Sequence, residues 1–140
     1  MLSLNERVAA TNKTMAKFRT RHFDWRSRAT CIHMARTHLR NMGHRPPRIP
    51  DFRSQMAARK ALEKSGFDSV TALLDSLLPR IAPAEMWVGD MAVLPGSAGL
   101  DSINIWDGIG KFLGWHEDDL SGIKPQLVLT ADQITGAWRV

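Results

Sequence analysis

Along the first eighty positions the hydrophobic residues recur at helical spacing, and beyond them they fall into short alternating runs. Leu4, Val8, Met15 and Phe18 share one face, and Ser3-Leu4-Asn5-Glu6 has the spacing of a capping box. A first helix is therefore expected over about residues 4–19, with a basic opposite face. Arg21 to Arg26 lacks that period but carries Phe23 and Trp25, which suits an ordered connection pinned to the core. Cys31, Met34 or Ala35, Leu39 and Met42 place a second helix from Ser27 or Arg28 to Met42, with Cys31 in its first turn and Gly43 as its stop. Arg45-Pro46-Pro47-Arg48-Ile49-Pro50 is expected as an extended loop, because its prolines lack donors and restrict their predecessors. Asp51 or Ser54 opens a third helix through Lys64, stopped by Gly66. Asp68 or Ser69 caps a fourth that carries Val70, Leu73, Leu74, Leu77 and Leu78, and Pro79 and Pro83 close the helical half.

From Trp87 the texture changes. Met91–Leu94, Ile103–Trp106 and Lys111–Trp115 are short runs separated by Gly89, Pro95-Gly96, Gly99, Asp107-Gly108 and Gly110, which predicts antiparallel strands with a tight hairpin at Asp107-Gly108. Gln126–Leu129 reads as a further strand and Thr130-Ala131-Asp132-Gln133 as a short helix or turn leading to Trp138. Helices followed by strands predict an α+β single domain over residues 1–140, the helical half packed on a small antiparallel sheet.

Charge adds a direction to this picture. Residues 1–66 hold 15 Lys or Arg against 4 Asp or Glu, and residues 67–140 hold 4 against 10, so the halves carry +11 and −6. A basic half fits a solvated face, a docking face for an acidic protein surface, or nucleic acid. The first two are favoured, because no RNP-like, zinc-finger or phosphate-loop pattern accompanies the charge. The single cysteine excludes an internal disulfide framework, no apolar run is long enough for a membrane span, and residues 1–18 do not resemble a signal peptide. Folding in a reducing cytoplasm is expected.

Cys31 is the principal candidate for chemistry. In the first turn of a helix, unpaired N–H groups and the helix dipole favour a thiolate, which is half of a cysteine-hydrolase site. The other half is an imidazole within reach of the sulfur. His33 lies two residues away on the same helix and points elsewhere, and His38 is about 10 Å further along the axis at 1.5 Å per residue. His22 and His44 read as surface or loop residues. His116, beside Trp115 and Glu117-Asp118-Asp119, could serve only if its loop folds back over the sheet. The alternative for Cys31 is inert packing as a small hydrophobe. No cofactor or metal is expected: one cysteine with scattered histidines gives no zinc spacing, and the acidic run lacks the glycine and ligand alternation of a calcium loop, so it reads as a solvated turn. The tryptophans read as core anchors at element edges rather than stacking platforms.

Several short blocks carry a resemblance. Phe23-Asp24-Trp25, Thr30-Cys31-Ile32-His33-Met34-Ala35, Gly66-Phe67 before the leucine-rich helix, Pro79-Arg80-Ile81-Ala82-Pro83-Ala84, Gly89-Asp90-Met91-Ala92-Val93-Leu94 and Ala137-Trp138-Arg139-Val140 stand in that order. Together they resemble a family of tailed-bacteriophage proteins of unassigned function, encoded among tail-tip genes and itself similar to NlpC-type papain-like peptidases. The resemblance implies a papain-like domain, with residues 1–20 as a docking extension. In the active peptidases the cysteine motif reads Asp-Cys-Ser-Gly-Phe and a histidine opens the strand after the Gly-Asp-apolar strand. Here Thr30 replaces the aspartate, and the histidine position falls on Ser102, or on Asp101 if the register slips by one. Neither is an imidazole base. The implied function is a structural or assembly component of a tail tip or baseplate, a papain-like fold with a degenerate site used for protein–protein contact. It would be made in the host cytoplasm and carried in the virion, with other tail-tip proteins as partners. The alternative is an active peptidase or amidase on peptidoglycan, with Cys31 as nucleophile and His116 as base.

Overall fold

Each long helix begins at a serine or threonine whose side chain accepts a hydrogen bond from the backbone N–H three residues on: Ser3, Thr30, Ser54 and Ser69. In the computed structural model, which describes residues 1–96, 100–128 and 130–140, these caps start α1 (Leu4–Phe18), α2 (Cys31–Asn41), α3 (Gln55–Lys64) and α4 (Val70–Leu77). Strands β1 (Arg80–Ile81), β2 (Met91–Leu94), β3 (Ser102–Trp106), β4 (Phe112–His116), β5 (Asp119–Gln126) and β6 (Gly136–Trp138) follow. Among the described residues they make one antiparallel sheet in the order β1-β6-β2-β3-β4-β5. The architecture is a single small α+β domain. One core cluster joins α2 and α4 to Met91, Val93, Ile103 and Trp138, and a second gathers Phe18, Ala29, Met34, Ile105, Leu113, Trp115 and Ile123.

The buried face of α1 is not the one its hydrophobic spacing predicts. Leu4 and Val8 are exposed, whereas Arg7, Ala10, Thr11, Thr14 and Phe18 are buried. The reason is a polar receptor in the segment before β2. Arg7, 1% exposed, donates from Nε to the Val88 carbonyl at 2.8 Å, from Nη1 to the Val140 main-chain oxygen at 2.7 Å and from Nη2 to Asp90 Oδ1 at 2.5 Å. Asp90 Oδ1 also accepts from the Val140 N–H, and Oδ2 accepts from the Trp87 N–H. A buried charge is tolerated only when paired and saturated with hydrogen bonds, as this one is.

His38 on α2 reaches the same segment. Its Nε2 lies 2.8 Å from the Gly89 carbonyl, which can only accept, so Nε2 carries the proton and Nδ1 faces the Thr14 hydroxyl at 2.8 Å. Gly89 has φ +88°, and an added Cβ would lie 3.0 Å from Thr11 Oγ1, so the close approach of α1 and the left-handed turn both call for glycine. The Gly-Asp pair ahead of β2 is therefore the point at which two helices are fastened to the sheet.

Three strand expectations change. The strand expected at Gln126–Leu129 lies earlier in the chain: β5 runs Asp119–Gln126, Leu127 and Val128 are outside any strand and Leu127 is exposed, and Leu129, like Gly99, lies outside the described residues. The turn after β3 is wider than a two-residue hairpin, because Asp107 accepts from the Ile109 and Lys111 N–H groups and its own N–H donates to the Lys111 carbonyl. Two short strands escaped the pattern altogether. β6 inserts between β1 and β2, burying Trp138 completely while its indole N–H donates to Asp75, which also pairs with Arg80.

Arg7→Met and Asp90→Asn should each cost about 3–5 kcal/mol in urea unfolding, since either leaves one buried partner uncompensated, and the double variant should cost less than the sum. Losses under about 1 kcal/mol would show that the pair is dispensable.

Burial, reinforced by Arg7, holds the His38 pKa down to about 4. The unfolded imidazole binds its proton near its ordinary value, so the stability from keeping His38 neutral is complete above that value and lost as pH falls toward 4. The loss is on the order of 3 kcal/mol. His38→Gln should remove that portion of the slope between pH 7 and 4, and stability curves that run parallel for the two proteins would contradict the assignment.

Candidate functional site

The start of α2 faces the start of β3. Thr30 caps the helix: its Oγ1 accepts from the His33 N–H and lies 2.8 Å from His33 Nδ1. His33 is thereby turned back over Thr30 and against Phe52, ring centroids 5.3 Å apart, and not toward the sulfur. Its burial, with Arg28, Arg21 and Arg36 nearby, holds its pKa at about 4.

Cys31 itself is partly buried, and its sulfur meets the backbone N–H groups of Ile103, Cys31 and Ile32. Their influence favours a thiolate. Desolvation opposes them and prevails, so the thiol pKa is raised above its ordinary value and the group stays protonated at neutral pH. Cys31 also lines a cavity of about 670 Å3, a volume within the usual range for ligand sites.

Asp101, Ser102 and His116 line the same cavity, together with Phe23, Trp25 and Trp115. No imidazole meets the sulfur among its partners. Strand alternation explains the separation. Ile103, Ile105, Leu113 and Trp115 face the helices, whereas Asn104 packs on Gly114 across the opposite face, to which alternation also assigns Ser102 and His116. Cys31 approaches from the helix side, so it shares only the open end of the sheet with His116. Asp101 is engaged elsewhere, its Oδ1 accepting from the Gly96 N–H at 3.3 Å.

Instead of an imidazole, Ser102 meets an amide chain. Asn104 Nδ2 donates to Ser102 Oγ at 3.1 Å, and Gln126 Nε2 donates to Asn104 Oδ1 at 3.1 Å. Asn104 is fully buried, and it fits because Gly114 opposite has no side chain: an added Cβ would lie 2.1 Å from Asn104 Oδ1. Sequence reasoning missed both amides. The available signal was polar residues at alternate positions 102 and 104, facing a glycine on the neighbouring strand.

The remaining candidates resolve without chemistry at the thiol. His22 and His44 are exposed. Glu117 and Asp118 form an exposed turn, and Asp119 is bound by Lys124 and Ser121, which hold its carboxyl well below the usual carboxylate range. Among the described residues no group of three or more His, Cys, Asp or Glu is placed to hold a metal ion, and no helix is long and apolar enough to cross a membrane.

The chain belongs to the DUF6950 family, a domain of unknown function, whose profile matches residues 4–140. No curated protein matches it.

Installing an imidazole tests whether position 102 addresses the sulfur. Because alternation carries Ser102 to the face opposite the helices, Ser102→His should leave iodoacetamide labelling of Cys31 at pH 7 within about twofold of the native rate. An acceleration of about tenfold or more, the effect of lowering a thiol pKa by about one unit, would place position 102 beside the sulfur.

Proposed function

We propose that this protein is a catalytically silent papain-like domain of the NlpC type, acting as a structural or assembly component of a bacteriophage tail tip or baseplate. The observation that carries the reading is the state of Cys31. It stands at a helix start, where a nucleophile would be favoured, but burial raises its thiol pKa, and the position that the resemblance gives to the base holds Ser102, tied to Asn104 and Gln126 instead of being an imidazole. A hydrolase needs the imidazole to create its nucleophile, whereas an interaction module needs only the surfaces. The basic helical half supplies such a surface for an acidic neighbour. Synthesis in the host cytoplasm followed by residence in the virion completes the reading.

A second reading, a peptidase or amidase acting on peptidoglycan, is favoured by one observation: Cys31 and His116 line a single cavity. It requires the end of β4 that bears His116 and the turn after it to close across the sheet end. Under that reading Cys31→Ala and His116→Ala would each abolish release of peptidoglycan fragments by the purified protein.

Mass spectrometry of purified phage particles tests the first reading. Recovery of this chain at fixed stoichiometry with tail proteins is expected, and consistent absence from particles would remove it as a resident component.

A further inference from the structure

A second cavity, of about 250 Å3, opens on the helical half and is separated from the first by Ile32, which lines both. Its walls are α2, the proline loop, α3 and α4, and it exists because α3 closes incompletely: Ala58 is the one residue of that helix that is fully buried. Leu39, Phe52, Leu62 and Leu77 give it an apolar lining, and Leu77 remains 38% exposed. Arg36 and Arg48 are its charged lining residues, and no carboxylate joins them. Arg36 braces the loop by donating from Nε to the Pro47 carbonyl at 3.0 Å, while Arg48 is exposed.

Size and charge together select an occupant. An apolar cavity of roughly 150 Å3 accepts a benzene ring, and drug-sized ligands need about 300 Å3 or more. The space here therefore suits one large apolar side chain better than a cofactor. The arginines at its mouth favour carboxylates beside that side chain, and the +11 charge of residues 1–66 would steer such a segment in. We propose that this groove docks an acidic segment of a partner protein, with one large apolar side chain in the cavity and flanking carboxylates on Arg36 and Arg48. The biological partner rests on the interaction-module reading; the docking chemistry does not.

A random peptide library displayed on a carrier and panned on the full chain, with the selected peptides then titrated by fluorescence anisotropy, tests the proposal. Selected sequences should place a large apolar residue within a few positions of two or more Asp or Glu. Ala61→Phe, which fills the cavity from α3, should weaken them at least tenfold, and Arg48→Glu, on an exposed side chain that the fold does not need, should weaken them by about tenfold. Selection of peptides without carboxylates, undiminished affinity for both variants, or no selected peptide would each overturn the proposal. A thermal melt checks that Ala61→Phe folds, and if it does not, Arg48→Glu decides. Groove binding without the chain in phage particles would remove the tail-tip reading alone; particles containing the chain without groove binding would remove the groove alone.

Discussion

A guanidinium buried at 1% exposure has to be answered on every side, and the answers to Arg7 come from distant parts of the chain. The Val88 carbonyl, the Asp90 carboxylate and the Val140 main-chain oxygen all converge on it, joining the first helix, the approach to β2 and the strand end beyond Trp138. Because Asp90 also receives the Trp87 and Val140 N–H groups, its geometry leaves little freedom for a different docking of α1. Such a pair adds little net stability over a hydrophobic substitute, but its partners become costly when separated, so its effect is to specify one arrangement. His38, held neutral on the adjacent Gly89 carbonyl, fastens α2 to the same segment before β2.

This constraint explains where the sequence was legible and where it was not. Helix starts at Ser3, Thr30, Ser54 and Ser69 and stops at Gly43 and Gly66 follow local rules, so they could be read from a few neighbouring residues. Arg7 could not, because a charged residue is ordinarily assigned to solvent and its partners lie more than eighty positions away. Placing Leu4 and Val8 inward was the direct consequence. β1 and β6 span two and three residues, too short for alternation to declare them, and they exist through pairing with each other and with β2. At the site, Cys31 in the first helical turn and Ser102 at the head of its strand were both legible. The Asn104 to Gln126 link was not, since it depends on register between β3, β4 and β5.

The two cavities flank the start of α2 and differ in kind. One is lined by Cys31 and by Ser102, whose hydroxyl is tied into an amide chain with Asn104 and Gln126. The other is largely apolar, with Arg36 and Arg48 in its lining, and open because α3 covers it only in part. Under the proposed reading the first is silent and the second is what the domain offers a neighbouring protein. Ile32 lines both and forms their border.

Silence of the thiol is the claim on which the functional reading turns, and direct titration measures it. Thiolate absorbance near 240 nm, followed with pH and corrected with Cys31→Ala, should show Cys31 ionising above the range of an ordinary thiol. A thiolate already formed at neutral pH would contradict the account and return the protein to the hydrolases.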